Sequence, residues 1–240
     1  MVVFVQVWAF AIWMVCVASS RMTMMMDDTI AAIATAPGEG AVAIVRLSGP
    51  ETLRIADAIF RGHGKPPSQR APYTVAYGEV ITEHGESIDE VLILTMRAPN
   101  SYTREDVVEV QSHGGHLSAR RILRRILQEG ARPAEPGEFT CRAFLNGRID
   151  LMQAEAVIDV VRSKSERAAV AAEEQLAGVL SKKFNHLYDR VVAVTADLEA
   201  TLDFPEDELP DAVFSEIHDR LVGIRLDLSR LIGTWETGGI

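Results

Sequence analysis

Two long stripes of apolar residues constrain the fold of this chain more than any other feature. In the first, large apolar side chains recur every three or four residues from Leu176 to Leu202, and Pro205 ends the run. A second stripe with the same spacing extends from Val213 to Trp235. This spacing predicts two long amphipathic helices. Because neither helix can bury its stripe alone, the two must pack together or against another chain.

The residues before about 148 show a different pattern, in which short apolar runs alternate with turns. A Pro-Gly turn at Pro136-Gly137 leads into a charged, aromatic-bearing loop, and a long alanine-rich helix is expected from Asp150 onward. We therefore predict an α+β domain followed by long antiparallel helices, with the boundary near residue 148. Strands are predicted at residues 29–34, 41–47, 73–81, 91–96 and 107–111, and helices at 50–60 and 117–128.

Composition limits the partners of the chain. Its 240 residues carry a net charge of −10, which argues against indiscriminate binding to a phosphate backbone but allows a local basic patch. The two cysteines, Cys16 and Cys141, are too few for a disulfide framework or a metal cage, so a reducing cytosol fits.

Residues 1–26 form a hydrophobic leader that stands apart from the rest. Val2–Ser19 is almost entirely apolar, but no Lys or Arg precedes it, so the positive start of a secretory signal is missing. The favoured interpretation is a mis-assigned start codon, because several methionines follow just before Asp27. A membrane anchor or signal, and an ordered helix, are the alternatives.

Two charged residues interrupt apolar strands. Arg46 has three possible placements: at a sheet edge, in the sheet with its head group extended into water, or directed at a ligand. Glu109 lies between Val108 and Val110 and either faces water or accepts paired N–H donors from a planar heterocycle.

Further candidates lie at the starts of helices. Asp150 is expected either to cap the alanine-rich helix or to complement the helix dipole from its first turn, which leaves Arg148 available for a ligand carboxylate. His113 precedes a Gly-Gly pair, where exposed amides suit an anion, and is either structural or catalytic. Four arginines on the following helix form either a solvated face or an RNA-phosphate patch: Arg120, Arg121, Arg124 and Arg125.

The sequence lacks the usual signatures of bond-making sites. It contains no Gly-x-x-x-x-Gly-Lys-Ser/Thr phosphate loop, no zinc-ligand spacing, no Gly-x-Ser-x-Gly turn and no dinucleotide fingerprint. By its own residues the chain therefore shows no bond-making apparatus.

Several motifs, taken in order, resemble the tRNA modification GTPase family, MnmE or TrmE. The resemblance extends from residue 27 to about 236, and its strongest part is Arg132–Ala156. The other matching segments are Asp28–Ala32, Ala34–Gly40, Ile44–Gly49, Pro99–Asp106, Glu109–Gly115 and the acidic turn Asp203–Glu208.

This resemblance implies an N-terminal domain similar to folate-dependent aminomethyltransferases. Such a domain binds 5-formyl- or methylene-tetrahydrofolate and pairs two subunits into a homodimer. A helical domain follows, carrying an inserted GTPase domain that uses GTP, magnesium and potassium. With an FAD-dependent partner subunit, such proteins install a (carboxymethyl)aminomethyl group on carbon 5 of the wobble uridine of tRNA, in the cytoplasm.

By motif position, Arg46, Glu109 and Arg148 match the folate-contacting residues of the family. Arg104 is a departure, because it stands where the family usually has Gly. We expect a folate-binding dimerisation domain at 27–147 and the first part of a helical domain at 148–240, truncated before the GTPase domain. Without the phosphate loop, the resemblance implies that this chain cannot hydrolyse GTP alone. The alternatives are a stand-alone folate-binding module and a non-enzymatic dimerisation scaffold.

Overall fold

A computed structural model describes residues 27–203 and 211–236, which divide between Arg148 and Ile149 into two compact units. The apolar leader, the acidic turn from Phe204 onward and the last four residues lie outside the described residues. Within the described ranges, no helix is both long enough and apolar enough to cross a bilayer.

The first unit is built on a seven-stranded sheet, which confirms the predicted α+β class. Its order is β3-β4-β5-β6-β2-β1-β7, with antiparallel pairing except between β1 and β7. The strands are β1 (Ile30–Ile33), β2 (Val42–Ser48), β3 (Phe60–Gly62), β4 (Thr74–Ile81), β5 (Ser87–Met96), β6 (Val107–His113) and β7 (Arg132–Pro133).

Helices cover one face of this sheet. Alternate strand residues such as Val45, Ile93 and Val110 point to this face and are fully buried. They pack against α1 (Thr52–Ile59) and α2 (His116–Gln128), whose own buried side chains complete the core. The opposite residues of the same strands, including Arg46 and Glu109, lie on the other face, which no helix of the core cluster covers.

A short helix, α3 (Glu138–Leu145), occupies the segment for which the sequence predicted a loop. That prediction was wrong because the Pro-Gly turn acts as a helix start. Gly137 adopts a left-handed φ of 79° immediately before the helix, a conformation that glycine accepts without steric cost.

The second unit contains helices α4 (Leu151–Arg162), α5 (Glu166–Leu176), α6 (Val179–Asp203) and α7 (Asp211–Glu236). Of the two expected roles of Asp150, the structure shows the cap of α4: its Oδ1 accepts from the Gln153 amide at 2.9 Å. The single alanine-rich helix is instead two helices, because Ser165 begins a new one by accepting from the Ala168 amide.

Apart from Leu176, which ends α5, the two predicted stripes lie on α6 and α7, which pack against each other. Leu187 and Val194 on α6 meet Ile217 and Ile224 on α7 in a small buried cluster. Ion pairs join Arg190 to Asp227 at 2.6 Å and Arg220 to Asp197 at 2.5 Å. Because the later residue on α6 pairs with the earlier residue on α7, the two helices are antiparallel, as the sequence predicted.

Candidate functional site

The sheet register brings two of the three predicted site residues together. Arg46 on β2 lies directly opposite Glu109 on β6. Glu109 Oε1 accepts hydrogen bonds from Arg46 Nε at 2.8 Å and Nη2 at 2.7 Å. The Glu109 side chain is 12% exposed and that of Arg46 is 28% exposed, so the pair is accessible from the open face.

Two aromatic rings join this pair to the third predicted residue. The Arg46 guanidinium carbon lies 5.6 Å from the centroid of Tyr102 and 5.7 Å from that of Phe139. The guanidinium carbon of Arg148 lies 4.7 Å from the same Tyr102 ring. These distances are within the range of cation–π attraction. The five residues form what we call the arginine–aromatic cluster.

The loop that carries Tyr102, between β5 and β6, is fastened to α3. The hydroxyls of Tyr102 and Thr140 are 2.9 Å apart, and Asn146 Nδ2 donates to the Thr103 carbonyl at 2.6 Å. Arg104 adopts φ 60° and donates to the Asn146 carbonyl at 3.0 Å. A left-handed φ favours glycine at this position, and the hydrogen bond holds arginine there instead.

A buried charge network fixes α3 itself. Glu138 is fully buried, and Arg132 Nη2 donates to it at 2.6 Å. Arg142, with a side chain only 3% exposed, donates to Glu105 at 3.1 Å and to Glu138 at 3.2 Å, and also pairs with Asp28. The network therefore holds α3, with Phe139 on it, against the start of β1 and the Tyr102 loop.

The pKa values of two carboxyls in the network reflect this arrangement. Burial would raise the pKa of Glu138, but the Arg132 hydrogen bond and the neighbouring charges outweigh it and hold the pKa below its usual range. The pKa of Asp28 is lowered in the same way, because hydrogen bonds from Arg132 and Arg142 outweigh burial.

The cluster offers unused binding groups. Among the described residues, Glu109 Oε2 accepts no hydrogen bond and the Arg148 guanidinium pairs with no carboxylate. A flat ligand can therefore meet a carboxylate acceptor, guanidinium donors and two aromatic surfaces in one place. Cys141 on α3 does not add a nucleophile, because the pKa of its thiol is raised. Burial is the main cause, and the negative charge of Glu138 is the second.

A separate cavity of about 290 Å³ lies between the Pro37–Gly40 loop and the start of α2. Apolar residues of β1 and β2 line it, together with Gly115 and His116. None of the three predicted site residues lines this cavity, so the arginine–aromatic cluster is a distinct feature of the first unit.

His113 forms a dyad with Asp89 beside the start of α2. His113 Nδ1 lies 2.7 Å from Asp89 Oδ1, and Asp89 Oδ2 also accepts from the His113 amide and from Ser118. The hydrogen bond from Asp89 and its charge raise the pKa of His113. Asp89 thus bonds the His113 amide, the His113 ring and the Ser118 hydroxyl near the start of α2. This arrangement gives the dyad a structural role.

We expect Asp89→Asn to lower the pKa of His113 toward its ordinary value near 6.5. Since the folded-state pKa is raised, the pair stabilises the fold below about pH 6.5, and this contribution is lost as pH rises through the raised pKa. An NMR titration of the histidine ring protons measures the shift, with the exposed His63 as internal control. An unchanged His113 titration in the variant would contradict the pairing.

Sequence reasoning identified Arg46, Glu109 and Arg148 separately but missed Tyr102 and Phe139 as parts of the same cluster. Both aromatics lie in segments with matching motifs, and that was the available signal. Their meeting depends on the loop fastening and on α3, which the sequence pattern did not predict.

Comparisons with known proteins cover both units. A family model described as the GTP-binding protein TrmE N-terminus matches residues 29–148, and one described as the MnmE helical domain matches residues 151–240. Proteins named tRNA modification GTPase MnmE are similar to the chain. That of Symbiobacterium thermophilum is 50% identical over 90% of this chain and 48% of its own length.

Other relatives give the same result. The proteins of Clostridioides difficile and Moorella thermoacetica are 46% and 47% identical over 90% and 89% of this chain, and over 47% and 46% of their own lengths. The chain thus spans about half the length of the curated relatives it matches. Because family models match both of its units in order, the chain belongs to the MnmE family of tRNA modification GTPases.

Proposed function

We propose that this chain supplies the N-terminal and helical parts of a tRNA modification GTPase and binds a one-carbon tetrahydrofolate at the arginine–aromatic cluster. The complete protein, with its GTPase domain and an FAD-dependent partner, then helps to install a (carboxymethyl)aminomethyl group on carbon 5 of the wobble uridine of tRNA. We place this activity in the cytoplasm.

The observation that carries the folate proposal is the convergence of Arg46, Glu109 and Arg148 around Tyr102. A pterin ring presents paired N–H donors, which suit the available carboxylate oxygen of Glu109. Its flat faces suit the rings of Tyr102 and Phe139. Arginine forms bidentate hydrogen bonds with carboxylates, so Arg148 suits the glutamate tail or a carbonyl oxygen of the folate.

The residues of this chain would bind and orient the folate. Glu109 would hold the pterin edge while the hydrogen bond from Arg46 keeps the Glu109 carboxylate aligned. The bound tetrahydrofolate would supply the one-carbon unit, and the two aromatic rings would shield one side of it from water.

We expect calorimetry to detect binding of 5-formyltetrahydrofolate to the wild-type chain. The double variant Arg46→Ala, Glu109→Ala should bind about tenfold to a hundredfold more weakly, because a hydrogen bond to a charged group contributes about 1.5–3 kcal/mol.

The ion pair between Arg61 and Glu79, at 2.7 Å in the same sheet, provides a matched control. The double variant Arg61→Ala, Glu79→Ala removes the same chemical groups from an exposed place and should leave folate affinity unchanged. Equal weakening in both variants, or equal affinity in wild type and the Arg46/Glu109 variant, would rule out the cluster as the folate site.

We further propose that two copies of the first unit dimerise through the open face of the sheet. Tyr77 and Val75 on β4 and Leu92 on β5 are 60%, 55% and 41% exposed. The register connects Val75 through Leu94 to Glu109, so this apolar area borders the cluster directly. Contiguous exposed apolar surface of this kind favours a protein partner.

Light scattering after size exclusion tests the dimer. The wild-type chain should have a mass of about twice 26.3 kDa, and Tyr77→Glu should shift it toward the monomer because a buried, unpaired carboxylate opposes association. Val161→Glu, at a 79% exposed position of α4, serves as control. A dimer that survives Tyr77→Glu at micromolar concentration would contradict this interface.

A further inference from the structure

Helix α2 concentrates positive charge in an otherwise acidic chain. Its 13 residues include four arginines and no Asp or Glu, whereas the whole chain has 34 acidic and 24 basic residues. The sequence predicted that all four arginines lie on one face, which is either solvated or an RNA-phosphate patch.

The structure separates one of the four arginines from the others. Arg125 is buried, with Nε donating to the Ile81 carbonyl at 3.1 Å and Nη1 donating to Glu129 at 2.6 Å. It therefore ties the helix to the end of β4 and is not available to a ligand. Arg120, Arg121 and Arg124 are exposed, and within the described ranges no carboxylate pairs with any of the three. We call these three the α2 arginine triad.

The spacing of the triad makes it electrostatically unfavourable in the isolated chain. Arg124 follows Arg121 by three residues and Arg120 by four, so the three side chains are neighbours on the helix surface. Like charges at this spacing destabilise a helix, and no acidic residue of α2 offsets them. A polyanion bound to this surface would remove the repulsion.

We propose that the α2 arginine triad binds the phosphate backbone of the tRNA. This inference rests on the proposed function, which supplies an RNA substrate. Guanidinium groups bind phosphate in a bidentate manner, and three adjacent ones suit a continuous run of phosphates. An anionic membrane fits less well, because the apolar residues Ala119, Ile122 and Ile126 are buried against the sheet. Leu117 is mostly exposed, but a single apolar side chain is too little for α2 to insert into a membrane.

The test measures binding of the full chain to an unmodified tRNA transcript by fluorescence anisotropy at several KCl concentrations. The triple variant Arg120→Gln, Arg121→Gln, Arg124→Gln should lose about tenfold or more in affinity at low salt. The slope of log affinity against log salt should become shallower by roughly 2–3, about one per lost phosphate contact. Replacement of the same residues by lysine should retain most of the slope.

A second triple variant provides the matched control. Arg162→Gln, Arg167→Gln, Arg225→Gln removes the same charge from exposed positions of the helical unit and should leave affinity and slope near wild type. Thermal unfolding checks folding, and the α2 variant should unfold no earlier than wild type because glutamine favours helix and the repulsion is gone.

Three outcomes would overturn the proposal: no tRNA binding by the wild-type chain, equal binding by the α2 variant, or equal losses in both triple variants. Binding to anionic vesicles in place of tRNA would overturn it as well. The calorimetric titration with 5-formyltetrahydrofolate contains no RNA. A negative tRNA-binding result would therefore overturn the arginine triad proposal, while the calorimetry alone decides the folate site.

Discussion

Replacing Arg142 with methionine is expected to lower the free energy of unfolding by about 3–5 kcal/mol, the cost of removing one partner from a buried ion pair. The Arg142 guanidinium stands among the carboxylates of Asp28, Glu105 and Glu138. Without it, Glu138 remains fully buried with only Arg132 to balance its charge. Urea unfolding monitored by circular dichroism measures the change.

A matched control separates the effect of breaking a buried charge network from the effect of removing any arginine. Arg61→Met breaks an exposed pair with Glu79, and such pairs contribute less than about 1 kcal/mol. The two variants should therefore differ by at least about 2 kcal/mol. Similar losses in both would show that the buried network contributes no more to stability than a surface pair.

Acid unfolding gives a second measurement of the same variant. Because the folded-state pKa of Glu138 lies below its unfolded value near 4.5, its ionised form stabilises the protein above about pH 4.5. This contribution is lost as pH falls through the lowered folded pKa. Removing Arg142 takes away part of what holds the pKa down, so the variant should unfold at a higher pH than wild type. Because any loss of stability also raises this midpoint, the slope of the free energy of unfolding against pH decides the cause: it should be smaller in the variant, whereas a simple packing defect would leave it unchanged.

Gly49→Ala is expected to be comparably damaging, with a loss of about 2–6 kcal/mol, of which about 1–3 kcal/mol is backbone strain and about 1–3 kcal/mol is steric crowding. Gly49 has φ 131°, which side-chain-bearing residues rarely adopt. A Cβ there would also lie 2.5 Å from the Asp28 carbonyl oxygen and 2.7 Å from the Thr29 Cα. The backbone of the β1 start would have to move, and Asp28 with it. Urea unfolding again measures the loss.

Gly115 separates the two causes, because it has nearly the same φ of 134° but nothing within 4 Å of an added Cβ. Gly115→Ala should therefore cost only the backbone strain, about 1–3 kcal/mol. The difference between the two losses in unfolding free energy measures the cost of the close approach of Gly49 to the residues before β1. Equal losses at the two positions would show that this approach relaxes without cost.

Much of the fold followed from patterns in the sequence. The predicted strands at 41–47 and 73–81 correspond closely to β2 and β4, because alternation of apolar residues predicts a sheet with one buried face. The stripes after Leu176 gave the antiparallel pair α6 and α7. The capping residue Asp150 was also predictable, since its role depends only on local spacing.

Other elements were not predictable because they depend on contacts between distant residues. The helix α3 is only 8 residues long, and its own Arg142 holds it by pairing with Glu105 and Asp28, which lie 37 and 114 residues away in sequence. The sequence placed Arg125 on the exposed face of α2, and this prediction was wrong. The Arg125 side chain is buried against the end of β4. Local propensity carries no information about such partners.

The sequence by itself determined the α+β class and the two-part organisation, and it indicated three charged residues as candidate ligand contacts. Only the tertiary structure decided that Arg46 and Glu109 are opposite each other across β2 and β6, and that Tyr102 joins them to Arg148. The physical reason is that strand register and the buried network around Arg142 set these distances. Both arise from packing between residues far apart in the chain.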